Sequence, residues 1–333
     1  MTPDRCTLAL ESDELAWPEE GRVLVMCAQG DADLAPLGDV HAVTVNFPAH
    51  LRLHNRGFAV GVAPEGDYSA ALVQIVKSKA ASLSAIAEAL AHVPPGGVVA
   101  VDGQKNEGIE SLLKAVRAVL PVEGVLSKSH GKLFWLRRPG DLPEAVLGWI
   151  SEPRQVDGGY QTLPGMFSAD GPDAGSELLI ALLPQLKGRV ADFGAGWGYL
   201  AGEVLAEQEA ITAMDLVEAD WAALQAAMVN VADDRAQYLW ADVTTFTPDD
   251  RYDAVISNPP FHTGRAAEPA LGQAFIAAAA RALKPQGQFF MVANRHLPYE
   301  ATLKEHFATG TMLAELGGYK LYQAGKPKGA RRT

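Results

Sequence analysis

Residues 189–200 read RVADFGAGWGYL. An apolar run ends in Asp192 and Phe193, glycines follow at Gly194, Gly196 and Gly198, and a new apolar stretch opens. This spells strand, glycine turn, helix. Glycine lets a backbone bend sharply and approach a ligand with no Cβ in the way. The spacing is GxGxG, whereas the dinucleotide fingerprint is GxGxxG, so a pyrophosphate on the helix N-terminus is disfavoured. Asp192 points the same way: a carboxylate repels an anion and accepts from a cationic amine.

Outward from this loop, short apolar runs alternate with helical patterns, the rhythm of a parallel sheet covered by helices. The second half continues with strands expected at 210–216, 236–241, 252–257 and 288–294, and helices at 268–283 and 299–308. TMLAEL (311–316) and YKLYQA (319–324) close it as a pair too near for a helical crossover, hence antiparallel. The first half has the same cadence. Its strands fall at 22–27, 41–47, 58–63, 71–76 and 97–103, its helices at 82–92 and 107–119, and its final pair at 122–128 and 131–138. A Pro–Gly loop precedes the fifth strand in each half, at 94–97 and 285–287. Seven strands in one order, twice, imply an internal duplication. Turn residues cluster at 139–165, giving domains at 1–150 and 151–333.

The chain has 333 residues, enough for two domains, and is 48% apolar and 20% charged, an ordinary globular composition. No apolar run approaches the roughly 18 residues of a membrane span. The N-terminus lacks the pattern of a signal peptide. Cys6 and Cys27 are too few for a disulfide framework or a cysteine zinc site. A cytoplasmic protein without membrane contact is expected. His41, His50 and His54 do not fall at ligand spacing, so no metal is expected. There is no GxSxG, Walker loop or Cys–His signal for a hydrolase or kinase. Forty acids against 28 bases give a net charge of −12, which excludes a strongly basic nucleic-acid binder but not a local basic patch.

Two further acids extend the glycine-loop reading. Asp215 is read as the end of the second strand, 23 residues beyond Asp192, a place suited to a ribose diol. Asp242 is read as the end of the third, where it would accept from an adenine amino group. Each would also serve as a helix cap. Asn258-Pro259-Pro260-Phe261 follows the apolar run YDAVIS. Two prolines cannot continue a central ladder and hold φ near −65°, so the loop is stiff. The Asn258 side-chain oxygen and the Pro259 carbonyl can both accept from one amino group. An exocyclic amine or carboxamide is a poor nucleophile because its lone pair is delocalised. Two acceptors on its hydrogens favour the pyramidal form, and they stabilise the positive charge that develops as the nitrogen attacks an electrophile. Phe261 offers a face for a planar ring.

The pattern resembles the class I S-adenosylmethionine-dependent methyltransferases, and within them the amino-methyltransferases that carry NPPF or a variant of it. LPGMFS (163–168) with Asp170, Gly171, Asp173, Gly175 and Ser176, then SNPPFH (257–262) and VANRHLPY (292–299), narrow this further. With VKSKA (76–80), GQKNEGIESL (103–112) and SKSHGKLFW (127–135) in the first half, they resemble the bacterial small-subunit ribosomal RNA guanine-N2 methyltransferases over nearly the whole chain. The resemblance implies an α/β fold of two tandem Rossmann-like class I domains, each a seven-stranded mostly parallel sheet with helices on both faces, the first degenerate. It implies S-adenosylmethionine as cofactor, held by Asp192, Gly194, Gly196, Gly198, Asp215, Asp242 and Asn258, and catalysis by Asn258, Pro259, Pro260 and Phe261.

The first half reads MCAQGDA (26–32) where the second has its glycine loop, and VKSK (76–79) where the second has NPPF. Lys77 and Lys79 there suit a phosphate, as part of an RNA platform with Lys105, Lys128, Lys132, Arg137 and Arg138. His262 and Arg265 are candidates for the base or its phosphate, and the basic tail (Lys320, Lys326, Lys328, Arg331, Arg332) for the RNA backbone. The expected partner is ribosomal RNA of the small subunit, and the expected state a monomer. Three rivals stand beside this reading: a large-subunit guanine enzyme, a glutamine-N5 protein methyltransferase, which the phenylalanine after NPP disfavours, and a non-catalytic assembly factor, which the intact NPPF disfavours.

Overall fold

Alternate residues of a strand face opposite ways, so a wholly apolar run must be covered on both sides. β1 (Val23–Met26) is such a run, and β2 (Val40–Val43) and β4 (Ala70–Gln74) depart from it only at His41 and Gln74; all three are buried at every residue. A computed structural model describes residues 5–12, 14–260 and 269–328, and the chain divides into two units, Met1–Glu152 and Pro153–Thr333. The first unit contains α1 (Arg5–Glu11), β1, β2, α2 (Phe47–Asn55), β3 (Ala59–Gly61), β4, α3 (Lys79–His92), β5 (Val98–Gln104), α4 (Ile109–Arg117), β6 (Gly124–Lys128), β7 (Gly131–Arg137) and α5 (Glu144–Leu147). The second opens with a hairpin of β8 (Arg154–Gln155) and β9 (Gln161–Thr162), then α6 (Ala174–Leu182), β10 (Gly188–Phe193), α7 (Tyr199–Glu207), β11 (Ile211–Glu218), α8 (Trp221–Asn230), β12 (Ala236–Trp240) and β13 (Tyr252–Ser257). It finishes with α9 (Pro269–Ala282), β14 (Leu283–Asn294), α10 (Glu300–His306), β15 (Phe307–Leu316) and β16 (Tyr319–Pro327).

The two sheets share one topology, β3-β2-β1-β4-β5-β7-β6 and β12-β11-β10-β13-β14-β16-β15. β7 and β16 run antiparallel to both their neighbours, as the closing pairs predict. In the second unit Ala191, Phe193, Val217, Val255 and Phe289 pack on one face with α9, and Val190, Leu216, Ala254, Ile256 and Phe290 on the other with α7 and α8. Burying each of the larger of these side chains stabilises by roughly 1.5–3 kcal/mol. The order reverses between β10 and β13, and a crevice opens there beyond the strands' carboxyl ends. Both the glycine loop, after β10, and Asn258, after β13, flank it.

Some elements differ from the sequence reading. α2 and α6 carry side-chain caps, Asn46 on the Ala49 N–H and Asp173 on those of Gly175 and Ser176, which the strand-led reading passed over. The loop expected at 285–287 is a bulge inside β14: Tyr252 pairs with Leu283 and Ala254 with Gln288, so residues 284–287 bow out between them.

The register makes the units comparable residue by residue. Val23 pairs with Val40 and Ala70 as Val190 pairs with Met214 and Ala254. Arg22, His41 and Tyr68 therefore match Arg189, Asp215 and Tyr252. The match is physical as well as positional. The His41 ring nitrogen Nδ1 meets the Tyr68 hydroxyl at 2.5 Å, and Arg22 lies over the Tyr68 ring at 5.9 Å. The Tyr252 hydroxyl donates to Asp215 at 2.6 Å, and Arg189 lies over the Tyr252 ring at 5.4 Å. One clasp of arginine, tyrosine and a polar strand residue recurs in both sheets. Among the described residues no helix is long and apolar enough to cross a membrane.

Candidate active site

The crevice is built by tying two strand ends together. The Ser257 hydroxyl at the end of β13 donates to the Phe193 carbonyl at the end of β10, at 2.6 Å. Gly194 then turns with φ 78°, and a Cβ there would lie 3.2 Å from Phe275 and 3.9 Å from Pro260. Glycine thus lets the loop approach the Pro259-Pro260 segment. Gly196, at φ 55°, has open space where its Cβ would be, so its bare backbone faces the crevice. Gly198 answers to packing instead, since a Cβ would come within 2.7 Å of Val231. Trp197 is buried, and its Nε1 donates to the Phe167 carbonyl at 2.9 Å, so it holds the 163–168 segment.

The resulting pocket, about 390 Å³ counting its solvent-open part, brings together Asp192, Gly194, Gly196 and Asn258 with Phe167 and Asp173. Asp192 is 1% exposed and neither carboxylate oxygen has a hydrogen-bond partner. Burial, then the charge of Glu218, pushes its pKa up to about 8; the nearby Ala201 amide lowers it somewhat without making a hydrogen bond. A buried acid with nothing to bind fits a ligand that carries a cation. A cation binds the ionised form, so affinity for the sulfonium donor is expected to rise about tenfold per pH unit from 6 towards 8 and to level above 9. Titration calorimetry across that range checks it, and a flat profile refutes it. The ligand-free fold moves oppositely. Its raised carboxyl holds a proton that the unfolded chain has already released, so this group's stabilisation is lost between about pH 4 and 8.

Asp215 corrects the sequence reading. β11 does not end at Asp215 but runs on to Glu218. Asp215 is 1% exposed, paired with Arg189 at 2.7 Å and with Tyr252, and lies outside the pocket lining. Its Oδ2 is thus taken up by the protein, while its Oδ1 has no hydrogen-bond partner among the described residues. Asp215→Asn is expected to cost about 2 kcal/mol of stability, read from a urea midpoint, with donor affinity changed less than about twofold. A large donor loss at normal stability would restore it as a ligand. The acid at the strand's carboxyl end is Glu218, which lies outside the pocket lining but touches its Gly196. Its Oε2 accepts from the Gly196 N–H at 2.8 Å, and its Oε1 from Ala219 and Asp220 at 2.7 and 2.8 Å. Asp242 lies two residues past β12, outside the pocket lining, with Oδ1 accepting from the Thr244 N–H and hydroxyl at 2.8 and 2.7 Å.

Asn258 is 9% exposed. Its Nδ2 donates to Asp173 Oδ2 at 2.8 Å and to Ser176 Oγ at 2.9 Å, while its Oδ1 is buried with no partner. Pro259 is buried and Pro260 exposed. Phe261, His262 and Arg265 lie outside the described residues, as do Arg331 and Arg332. Phe167, 54% exposed, adds an aromatic ring to the lining.

By register, the first unit places Val25 where Asp192 stands, Gln29 at Gly196, Thr44 at Glu218 and Gln74 at Asn258. The segment opposite NPPF is therefore Gln74 to Lys77, and 76–79 is displaced from it by two residues. Gln74 Oε1 accepts from the Gln29 N–H at 2.7 Å, so the first unit closes on itself where the second is open. Lys77 and Lys79 are exposed at the start of α3. Arg138 donates to the carbonyls of Leu90, Pro139 and Gly140, a structural task. Arg137 pairs with Glu123, Lys105 and Lys132 with Glu110, and Lys320 with Glu300. Among the described residues no group of three His, Cys, Asp or Glu is placed to hold a metal ion.

A family model described as Methyltransferase small domain matches residues 158–323. The ribosomal RNA small subunit methyltransferase C of Shewanella oneidensis is 30% identical over 319 residues, 90% of this chain and 93% of that one. The protein of the same name from Cronobacter sakazakii is 34% identical over 245 residues, 73% and 71% of the two chains. The solved T. thermophilus 16S rRNA N2 G1207 methyltransferase, in complex with AdoMet and guanosine, is similar with a TM-score of 0.80 at 25% identity, covering 94% of this chain and 90% of that one.

Proposed function

The chain belongs to the ribosomal RNA small subunit methyltransferase C family, and from that premise we propose that its second unit transfers a methyl group from S-adenosylmethionine to the exocyclic N2 of a guanine in small-subunit ribosomal RNA. One observation carries the reading. Asn258 Oδ1 is a buried, partnerless acceptor in the same pocket as the partnerless carboxylate of Asp192. One takes an amine and the other a cation.

S-adenosylmethionine supplies an electrophilic methyl carbon on a cationic sulfur. Asp192 meets the positive charge of the donor, and the exposed backbone at Gly194 and Gly196 lets it lie close. Glu218, held by three N–H groups, takes the place first given to Asp215 as acceptor for the ribose hydroxyls. Asp242 offers its second oxygen to the adenine amino group. Asn258 Oδ1 and the Pro259 carbonyl accept from the guanine amine, orient its lone pair in line with the methyl carbon and stabilise the charge that builds on nitrogen. The N–CH₃ bond forms as the S–CH₃ bond breaks, and the cationic nitrogen then gives its proton to water. Phe261 is assigned the stacking face, and His262 and Arg265 the base or its phosphate.

The first unit, with no acid at Val25, is assigned to RNA binding through Lys77 and Lys79. A chain of net charge −12 binds RNA through a focused patch, and its affinity falls steeply with salt. The reading includes a monomer acting in the cytoplasm on an unpaired or splayed-out guanine, since the amine must reach the donor. The test is incubation with labelled donor and both ribosomal subunits stripped of modification, followed by mapping of the labelled base. Label on guanine N2 is expected; label on protein, on adenine or on the large subunit overturns the proposal.

A further inference from the structure

Asn258 is not held by its own loop. Both hydrogens of its amide are taken by α6, one by Asp173 Oδ2 at 2.8 Å and one by Ser176 Oγ at 2.9 Å, across 85 and 82 positions of sequence. The same Asp173 oxygen caps α6, accepting the N–H groups of Gly175 at 2.9 Å and Ser176 at 3.1 Å. The helix N-terminus favours a negative charge at that point. An Asn258 amide turned by half a rotation would set its oxygen against this carboxylate and its N–H groups into the pocket, where they would oppose an incoming amine. Charge therefore chooses the orientation that leaves Oδ1 free.

We propose that Asp173 is a positioning residue for methyl transfer: its anionic carboxylate locks the Asn258 amide and polarises its oxygen towards the substrate amine. An amide that donates to an anion shifts electron density onto its own carbonyl, and hydrogen bonds in such a chain strengthen one another. The gain is greatest when the S–CH₃ bond is breaking, the N–CH₃ bond is forming and the nitrogen is turning cationic. The catalytic contact remains that of Asn258, and the proposal rests on the role given to Asn258 above.

Asp173→Asn separates charge from shape. Asparagine caps helices as well as aspartate does and still offers Asn258 an acceptor, but it carries no charge. In the full chain, kcat is expected to fall about tenfold, a smaller loss than that of the contact itself, with donor affinity and RNA KM changed less than about twofold. In the Asn258→Ala background, single-turnover transfer is expected to show no further loss, because Asp173 acts through the missing amide. An unchanged kcat in Asp173→Asn, or a second full loss in the double variant, overturns the proposal. So does a loss in donor affinity at normal kcat, which would make Asp173 a donor ligand. If Asp173→Asn melts lower than the wild type, Asp173→Ser, another uncharged cap, is measured against the same criteria. The function itself fails differently, through an Asn258→Ala variant that keeps its rate.

Discussion

Asn258→Ala is expected to lower kcat by about 10²–10³-fold while donor affinity stays within about threefold of the wild type. The side chain presents a buried acceptor with no hydrogen-bond partner among the described residues. Removing it leaves the target amine flat, with its lone pair delocalised, and leaves the charge that forms on it facing apolar carbon. In the proposed reading the donor is held on the other strand end, at Asp192, and does not depend on the amide. Single-turnover rates at saturating donor measure the first quantity, and calorimetry with the donor alone measures the second. Asn258→Asp is no substitute. It keeps an oxygen but sets a second carboxylate within hydrogen-bond distance of Asp173, and the two repel. A variant that loses donor affinity in step with rate would show that residue 258 serves the cofactor instead.

Asp192→Asn is expected to weaken donor binding by at least about 100-fold, since a buried neutral amide replaces the carboxylate that would face the cation. It carries an opposite expectation for the empty protein. At pH 9 the wild-type carboxylate is ionised while buried without a hydrogen-bond partner among the described residues, so its removal is expected to raise the melting temperature by about 2–4 °C. The gain shrinks at pH 6, where the carboxyl holds its proton. Function here is bought with stability. Unchanged donor affinity in this variant would remove Asp192 from the site.

Much of this was legible in the sequence. Short apolar runs, glycine spacing and proline placement are local signals, and they yielded the succession of seven strands in each half, the antiparallel closing pairs and the glycine loop between a strand and a helix. What escaped depends on where strands stop and on what meets across long separations. Asp215 and Glu218 lie on one strand, and the choice between them turns on β11 running three residues past Asp215. Glu218 was hidden because Glu-Ala-Asp before an apolar run reads as the start of a helix. Asp173 and Ser176 look like an ordinary cap until the fold brings Asn258 to them. The opposition of Gln74 to Asn258 needed the pairing register, because composition alone favours the lysines nearby.

The Gln74–Gln29 bond has an evolutionary corollary. The first unit cannot regain a working centre one residue at a time. Val25→Asp would bury an acid with no ligand yet able to answer it, and shortening Gln74 to Asn would break its bond to Gln29 and strand an amide. Each step back is a loss until several are taken together. The closed crevice of the first unit is thus kept closed by a ratchet.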